Sequence, residues 1–297
     1  MPTVTCVMPA YNAEKYITEA IESILNQTYN DFEFIIIDDG SSDNTPNIIE
    51  EYANKDGRIV YLANEENKGV SYTRNRGLAA AKGKYIAIMD ADDIAHKERF
   101  QKQVEYMEQN EDIGVLGAAY FSFAENKDDG KDIIMPAEDK EIKLYALHSS
   151  PIANPTAMIR KSVIDENNLR YDEEYDGAED YEFWQRMTKI TKFHNLSEVL
   201  MRCRQAEKDE KAYSANFKIM NRALKEIVAE EFYIPLFENP EDNSLAAIRE
   251  TFRIVSEIPL MILNDDCPFT RSELATAATS QREYLLDTII KDKEVIV

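Results

Sequence analysis

Residues 86–93 read Ile-Ala-Ile-Met-Asp-Ala-Asp-Asp, a short apolar run that ends in a group of aspartates. Four apolar residues bounded by charge are typical of a buried strand, and open α/β sheets bind their ligands at the carboxyl ends of such strands. In an extended chain Asp90 and Asp92 point to the same side, because the side-chain period is two. Two carboxylates on one side are suitable ligands for Mg²⁺ or Mn²⁺ bridged to a phosphate. The stretch therefore indicates an enzyme that uses a divalent cation.

Apolar runs and helical patterns alternate along the chain on both sides of this stretch. The predicted strands cover residues 4–8, 32–37, 58–62, 85–89, 115–123, 156–160 and 199–204. The predicted helices cover residues 13–26, 45–54, 70–81, 100–109 and 179–188, and residues 125–132 are predicted to form a polar loop. Thr45 is expected to cap the second helix, because Pro46 follows it. Alternating strands and helices predict an α/β fold with a mostly parallel sheet and helices on both faces.

After residue 205 the pattern changes to long helical segments. These cover about residues 209–232, 244–263 and 271–292 and are interrupted by Pro235, Pro240 and Pro268. We therefore predict a catalytic domain over residues 1–205 and a C-terminal helical region over residues 206–297. That region could form a dimer interface, close over an acceptor or lie on a membrane, and its acidic content makes the membrane role the weakest of the three.

Composition narrows the function classes. The chain has 297 residues, with 34 basic and 56 acidic side chains and a formal net charge of −22. A nucleic-acid-binding surface would need a basic stripe, so that class is disfavoured. Three scattered cysteines fit a reducing compartment, and no stretch approaches the about 20 apolar residues of a membrane span. With no signal-peptide pattern at residue 1, we expect a cytoplasmic protein, and peripheral association with the inner face of a membrane stays open.

Two further acidic groups follow predicted structural elements. Asp38 and Asp39 come directly after the second strand, where carboxylates can bind a base edge or a ribose hydroxyl; the alternative is a polar turn in which Ser42 or Asp43 caps the next helix. Glu179 and Asp180 begin a helix, where they could cap it or supply a general base. Because two acidic clusters stand at the ends of predicted strands, we favour the functional interpretation.

The basic element is Asn67-Lys68-Gly69 followed by Arg74-Asn75-Arg76-Gly77. Guanidinium groups suit a diphosphate, and we assign that role to Arg74 and a surface position to Arg76. Neither a Walker A loop nor a Gly-x-Gly-x-x-Gly sequence is present, which disfavours P-loop and Rossmann nucleotide sites. Trp184 is expected in the core or in a pocket wall rather than as a platform for a sugar ring.

Five motifs in a fixed order resemble the family-2 glycosyltransferases of GT-A fold. They are Val-Met-Pro-Ala-Tyr-Asn (7–12), Ile-Ile-Asp-Asp-Gly-Ser-Ser-Asp (36–43), Asn-Lys-Gly with Arg-Asn-Arg-Gly (67–77), Met-Asp-Ala-Asp-Asp (89–93) and Ala-Glu-Asp-Tyr (178–181). The resemblance covers roughly the first 205 residues and leaves the C-terminal helices outside. It implies a GT-A sheet and an inverting transfer of a sugar from a UDP-sugar to a glycan or lipid-linked acceptor, in bacterial surface-polysaccharide biosynthesis.

The resemblance also implies roles for individual residues. Asp180 would be the base with Glu179 beside it, Asp92 would hold Mn²⁺ or Mg²⁺, and Asp90 would lie near the ribose and the metal. The remaining nucleotide-binding positions would be Pro9, Ala10, Tyr11, Asp38, Asp39, Gly69, Arg74 and Arg204. The metal would neutralise charge on the leaving nucleoside diphosphate.

The chain departs from the family pattern in two places. An Arg-x-His common after the last strand is Arg204-Gln205-Ala206 here, and a histidine common before the Pro-Thr segment is Asn154. The missing histidine keeps open a non-catalytic nucleotide-binding or interaction role. A sugar-1-phosphate nucleotidyltransferase is a further alternative, although it would carry a glycine-rich basic loop that residues 9–16 lack.

Overall fold

The structure, a computed structural model, describes residues 1–124, 126–205, 210–228 and 250–285, except residues 252, 256, 259–260, 262 and 265–266. Its strands are β1 (Val4–Ala10), β2 (Phe32–Asp38), β3 (Ile59–Ala63), β4 (Tyr85–Ile88), β5 (Ile94–Ala95), β6 (Ile113–Phe123), β7 (Gly130–Ile133), β8 (Met158–Arg160) and β9 (Lys192–Arg204). Its helices are α1 (Ile17–Leu25), α2 (Thr45–Lys55), α3 (Val70–Ala80), α4 (Arg99–Gln109), α5 (Asp139–Tyr145), α6 (Lys161–Glu166), α7 (Glu179–Met187), α8 (Glu210–Ile227) and α9 (Arg271–Leu285). Two short 3₁₀ helices cover Asn154–Thr156 and Glu173–Tyr175.

One sheet connects all of these strands in the order β3-β2-β1-β4-β8-β6-β9-β5, with β7 paired to β6. The four strands β3, β2, β1 and β4 run parallel. Their carboxyl ends therefore lie at one edge of the sheet, where α/β folds place ligands. Beyond β4 the sheet is mixed, because β8 is antiparallel to both β4 and β6 whereas β6 and β9 are parallel. The predicted α/β class is confirmed, and its parallel part is confined to the first four strands.

Alternate residues of the parallel strands fill two cores on opposite faces of the sheet. Cys6 and Met8 of β1 pack with α1 and α4 on one face, whereas Val7 packs with α3 and α7 on the other. A Cβ atom at Gly77 of α3 would clash with Val7, so glycine allows this helix to approach the strand closely. Trp184 is fully buried in the second core, which confirms its assignment to the core.

The described C-terminal helices share a third core with the preceding part of the chain. Ile219, Met220 and Leu224 of α8 pack with Leu147 and Tyr181 in this cluster, which also includes residues of α9. Parts of the predicted helices, residues 209, 229–232, 244–249 and 286–292, lie outside the described residues. None of the helices in the described part is long and apolar enough to cross a bilayer.

Several boundaries differ from those predicted. Helix α1 begins at Ile17 and not at Ala13, because loop contacts hold the preceding turn: the Ala13 amide donates to the Thr45 hydroxyl at 2.8 Å and the Glu14 amide donates to Asp43 at 3.0 Å. The expectation that Thr45 caps α2 was wrong. Asn44 occupies that position, and the Thr45 amide donates to the Asp43 carboxylate at 3.0 Å.

Candidate active site

The carboxyl end of β2 places two buried aspartates, each 3% exposed, at the ligand-binding edge of the sheet. The Asp39 carboxylate accepts hydrogen bonds from the amides of Lys68 at 2.9 Å and Gly69 at 3.0 Å. It also accepts one from the side-chain amide of Asn64. Gly69, with φ of +90°, is followed directly by α3. Asp39 therefore orders the loop that leads into α3.

The carboxyl end of β1 lies beside these aspartates, since Ala10 pairs with Asp38 in the sheet. Tyr11 follows, and its side chain is 51% exposed. Pro9 is half-buried and Ala10 is buried. The Asp38 carboxylate is contacted by the Ser41 amide at 3.3 Å. An exposed ring next to buried acceptors is an arrangement that can take a flat polar ring such as a nucleobase.

A cavity of about 420 Å³ opens at the end of β4. It is lined by Arg74, Asp90, Asp92, Asp93, Tyr120, Ser122, Ala153, Asn154, Pro155, Glu179, Asp180, Cys203, Arg204 and Gln205. These residues come from separate parts of the chain that the sheet and α3 bring together. Five carboxyl groups and two guanidinium groups therefore share one wall, which leaves an excess of negative charge when all are ionised.

Arg74 is a buried cation between two of these acids. It is 5% exposed and donates to Asp90 at 2.8 Å and to Glu179. Its guanidinium also lies 5.5 Å from the centre of the Tyr171 ring. Because Asp90 follows β4 and Glu179 begins α7, the arginine connects the end of β4 to the start of α7, beside the candidate base Asp180. Glu179 in turn accepts the Gly177 amide at 2.8 Å.

Asp180, the candidate base, lies in surroundings that shift the pKa of its carboxyl group. Burial of the carboxyl group, and then the negative charge of Glu179, raise the pKa of Asp180 to about 7, while the Arg74 charge opposes that shift. Its oxygens accept the Tyr181 amide at 2.7 Å and lie 3.4 Å from the Ser150 hydroxyl. A carboxyl group that titrates near neutral pH can exchange a proton with a substrate hydroxyl.

The aspartates after β4 differ in their surroundings. Asp93 is 4% exposed and accepts the Arg204 amide at 2.8 Å. Burial and the charges of Asp90 and Asp92 raise the pKa of Asp93 well above its ordinary value. Burial and the charge of Asp90 also raise the pKa of Asp92. The Arg204 guanidinium lies 3.9 Å from the centre of the Tyr16 ring and donates to the Ala124 carbonyl.

The donor set can be compared with what a divalent cation requires. Within the described ranges, no group of three or more His, Cys, Asp and Glu side chains is placed to hold a metal by itself. Asp90 and Asp92 line one cavity, and burial together with the charge of Asp90 raises the pKa of Asp92. Mg²⁺ is commonly held by one or two carboxylates together with substrate phosphates. The residues present therefore fit a cation shared with a bound diphosphate.

Residues 5–167, more than half of the chain, match the family described as glycosyl transferase family 2. The chain belongs to this family. The prediction of a family-2 glycosyltransferase is thereby confirmed, and a transferase class follows from it. The nucleotidyltransferase alternative is set aside, because the matched family is described as transferring glycosyl groups and not nucleotidyl groups.

Relatives of this family-2 glycosyltransferase carry related names. An uncharacterised glycosyltransferase of Methanocaldococcus jannaschii is 40% identical over 212 residues, which are 70% of this chain and 72% of the relative. A putative teichuronic acid biosynthesis glycosyltransferase of Bacillus subtilis, TuaG, is 41% identical over 106 residues, which are 36% of this chain and 42% of the relative. The similarity to TuaG is thus confined to less than half of either protein.

Solved structures share the fold of this family-2 glycosyltransferase. Staphylococcus aureus TarS (residues 1–349), solved in complex with UDP, superposes with a TM-score of 0.64 at 19% identity and covers 98% of this chain and 92% of its own. TarS has also been solved in complex with UDP-GlcNAc. The mannosyltransferase PcManGT from Pyrobaculum calidifontis, in complex with GDP-Man and Mn²⁺, gives a TM-score of 0.57 at 14% identity and covers 97% of this chain and 76% of its own.

The structure brings together six of the predicted site residues of this glycosyltransferase in one cavity, namely Arg74, Asp90, Asp92, Glu179, Asp180 and Arg204. The others, Pro9, Ala10, Tyr11, Asp38, Asp39 and Gly69, lie outside its lining. Sequence reasoning missed Tyr120, Ser122, Ser150 and Tyr171. These residues have no motif of their own, and only the pairing of the mixed half of the sheet and the packing of α7 place them at the site.

Proposed function

We propose that this chain is an inverting, metal-dependent glycosyltransferase that moves a hexose or an N-acetylhexosamine from a UDP-sugar to a hydroxyl group of a glycan or lipid-linked acceptor. One observation carries the proposal. Asp180, a carboxyl group whose pKa is raised to about 7, lines the same cavity as Asp90 and Asp92. A base and a cluster suited to a cation and a diphosphate are the two parts that such a transfer needs.

In the proposed reaction, Asp180 takes the proton of the acceptor hydroxyl while that oxygen forms a bond to the anomeric carbon. The bond between that carbon and the oxygen of UDP breaks, and UDP leaves with the electron pair. Because attack comes from the face opposite the leaving group, the configuration inverts, as in inverting glycosidases. Glu179 forms an ion pair with Arg74 and accepts a hydrogen bond from the Gly177 amide. Of the two acids at the start of α7, we therefore assign Asp180 as the base.

We assign the uracil and ribose to the carboxyl ends of β1 and β2. Support comes from the exposed Tyr11 ring, the buried acceptors Asp38 and Asp39, and the backbone at Pro9, Ala10 and Gly69. The diphosphate would lie in the cavity beside Arg204 and Asp90. Arg74 would lower the negative charge there and contact the diphosphate. TarS has been solved with UDP and with UDP-GlcNAc, which supports a uridine nucleotide.

We propose Asp92 as the principal ligand of Mn²⁺ or Mg²⁺, with Asp90 contributing. When bound, the cation supplies positive charge that stabilises the departing diphosphate. Without it, a diphosphate would approach a wall with more carboxyl than guanidinium groups. PcManGT has been solved with Mn²⁺, which supports a metal in this fold.

The biological setting is proposed from the relatives. The similarity to TuaG, a putative teichuronic acid biosynthesis glycosyltransferase, supports assembly of a surface polysaccharide. We also propose a catalytic domain that ends at residue 205, a cytoplasmic site of action at the inner face of the membrane, and a C-terminal region that forms a dimer or covers the acceptor. The cysteines, which are all free, fit a reducing compartment.

A donor screen tests the proposed function. Purified protein is incubated with UDP-glucose, UDP-galactose or UDP-GlcNAc, with Mn²⁺, with Mg²⁺ and with EDTA, and UDP release is measured. We expect cation-dependent UDP release from one of the three donors. UDP binding without turnover of any donor, even with added oligosaccharide acceptors, would favour the non-catalytic alternative.

The pH dependence of the reaction follows from Asp180. The base must be ionised to accept a proton, so kcat/KM should rise with pH and level off above an apparent pKa of about 7. The profile is measured at saturating Mn²⁺, with UDP affinity recorded in the same buffers so that changes in binding are separated from chemistry. A flat profile between about pH 5.5 and pH 8.5 would contradict the assignment of the base.

The metal role is tested by Asp92→Ala. In the unmodified protein, Mn²⁺ should tighten UDP binding on the order of 10-fold, and in the variant the same addition should change the Kd little. Titration calorimetry with and without Mn²⁺ measures both values. Asp112→Ala is the control, because Asp112 is exposed, pairs with Lys192 at 2.9 Å and is not among the residues that line the cavity. Equal Mn²⁺ dependence in Asp92→Ala would overturn the ligand assignment.

A further inference from the structure

Asn154 is a buried amide in the wall of the cavity. It begins the 3₁₀ helix Asn154–Thr156, is 6% exposed and lines the cavity together with Arg74, Asp90 and Asp180. This short helix contacts β4 and β6. Asn154 therefore lies among the residues that the proposed function assigns to the diphosphate on one side and to the base on the other.

The two ends of this amide have different surroundings. Oδ1 accepts a hydrogen bond from the Tyr171 hydroxyl at 3.5 Å, and Tyr171 is itself 2% exposed and stacked on Phe183 with ring centres 4.2 Å apart. Nδ2 is buried and has no hydrogen-bond partner among the described residues. A buried N–H group without a partner costs free energy, so such a group in a binding cavity indicates a ligand that completes it.

We propose that Nδ2 of Asn154 donates a hydrogen bond to an oxygen of the sugar carried by the UDP donor, which makes Asn154 a residue that selects the sugar. The inference rests on the proposed function and deepens it. The transferred sugar must lie between the leaving diphosphate and the attacking hydroxyl. Asn154 lines the cavity that also contains Asp90, assigned to the diphosphate and its cation, and Asp180, assigned as the base. A sugar hydroxyl or carbonyl oxygen can accept the amide proton, while the neighbouring carboxylates can accept only from sugar hydroxyls.

A comparison of UDP with UDP-sugars separates this role from a structural one. UDP lacks the transferred sugar, so Asn154→Ala should change the Kd of UDP by less than about twofold. The same variant should weaken binding of the preferred UDP-sugar by about 10-fold. The probes are UDP, UDP-glucose, UDP-galactose and UDP-GlcNAc, titrated by calorimetry with Mn²⁺. Preference among the three sugars should also decrease in the variant, because the contact that distinguishes them is lost.

A second variant keeps the shape of the side chain. Asn154→Asp replaces the donor Nδ2 by an acceptor, so UDP-sugar binding should fall at least as far as in Asn154→Ala. Thermal unfolding checks that both variants are folded, and Asn167→Ala, at an exposed asparagine that follows α6 and does not line the cavity, is the matched control. The inference would be overturned by unchanged UDP-sugar affinity in both variants, or by a loss of UDP affinity in Asn154→Ala as large as its loss of UDP-sugar affinity. Either result would leave the proposed function standing. A parent protein that binds none of the four probes would overturn the proposed function with it.

Discussion

Replacing Asp180 by asparagine is expected to reduce kcat on the order of 10³-fold, since the variant loses the carboxylate that we propose accepts the hydroxyl proton. UDP affinity should remain within about twofold, because asparagine has the same shape and removes negative charge from an already acidic cavity. The Tyr181 amide can still donate to Oδ1 of the new side chain. Single-turnover kinetics with a saturating donor measure the rate, and calorimetry measures UDP binding.

Stability provides an independent check on this variant. The folded state raises the pKa of Asp180, so the folded protein holds the proton more tightly than the unfolded chain does. Ionisation of Asp180 above neutral pH therefore destabilises the fold, and Asp180→Asn should unfold at a higher temperature than the parent protein at alkaline pH. Loss of activity together with an equal or higher Tm at about pH 8 would exclude misfolding as the cause.

Asp128→Asn serves as the control for the chemistry, because Asp128 is exposed in the turn before β7. It should retain the activity of the parent protein. A marked loss of UDP affinity in Asp180→Asn would contradict the base assignment and would place this carboxyl in the nucleotide site. Activity of Asp180→Asn within tenfold of the parent would indicate that another group accepts the proton.

Sequence periodicity was sufficient for the parallel half of the fold. Strands β1, β2 and β4 are short apolar runs, and each is buried on both faces, so composition alone separates them from the amphipathic helices between them. Helix α3 was predicted to within one residue at its end, because Gly69 and the residues around Lys82-Gly83 mark its limits. Local signals and tertiary structure agree over this part of the chain.

Local signals predicted β6 and β8 in the mixed half of the sheet, but not the start of β9 and not β5 or β7. Strand β9 begins at Lys192 and not at the predicted Val199. Its first residues were not predicted as a strand, because several of them are polar. Asn195, one of these, is buried and donates hydrogen bonds to the carbonyls of Pro136 and Pro151. Strand β7, which lies in the predicted loop, is exposed and is defined by its pairing with β6. Strand β5 has two residues and exists through its pairing with β9. Each depends on partners distant in sequence.

The site shows the same division. Motifs predicted which acids follow the strands, but they could not show that Arg74 is held between Asp90 and Glu179. That arrangement depends on α7 packing beside α3, and residues 74 and 179 are far apart in sequence. A sequence motif predicts which residue types lie at the edge of the sheet. Whether such a residue is free to bind a ligand or is already paired with another side chain depends on how the helices pack.

Replacing Arg74 by methionine is expected to produce the largest loss of stability among the site variants. Removing one member of a buried ion pair costs about 3–5 kcal/mol, because the remaining charges stay buried without compensation. Arg74 is 5% exposed and compensates both Asp90 and Glu179. For a domain of this size the loss corresponds to a fall in Tm of roughly 10 °C. Thermal unfolding at about pH 8 measures the loss.

The pH dependence of that loss identifies its cause. Without the arginine, the buried carboxyl group of Glu179 and the half-buried carboxyl groups of Asp90 and Asp180 line the cavity without this cation, and their mutual repulsion in the folded state should favour binding of a proton. Stability of the variant should therefore increase as the pH falls from about 8 to about 5, and the difference from the parent protein should shrink.

Arg253→Met is the matched control, because Arg253 also pairs with two acids, Glu250 and Glu257, but its side chain is 53% exposed. Exposed pairs of this kind contribute little to stability, so the control should change Tm little. An equal loss in both variants, or a loss in Arg74→Met that does not change with pH, would mean that packing of the side chain, and not compensation of the buried acids, is what Arg74 supplies.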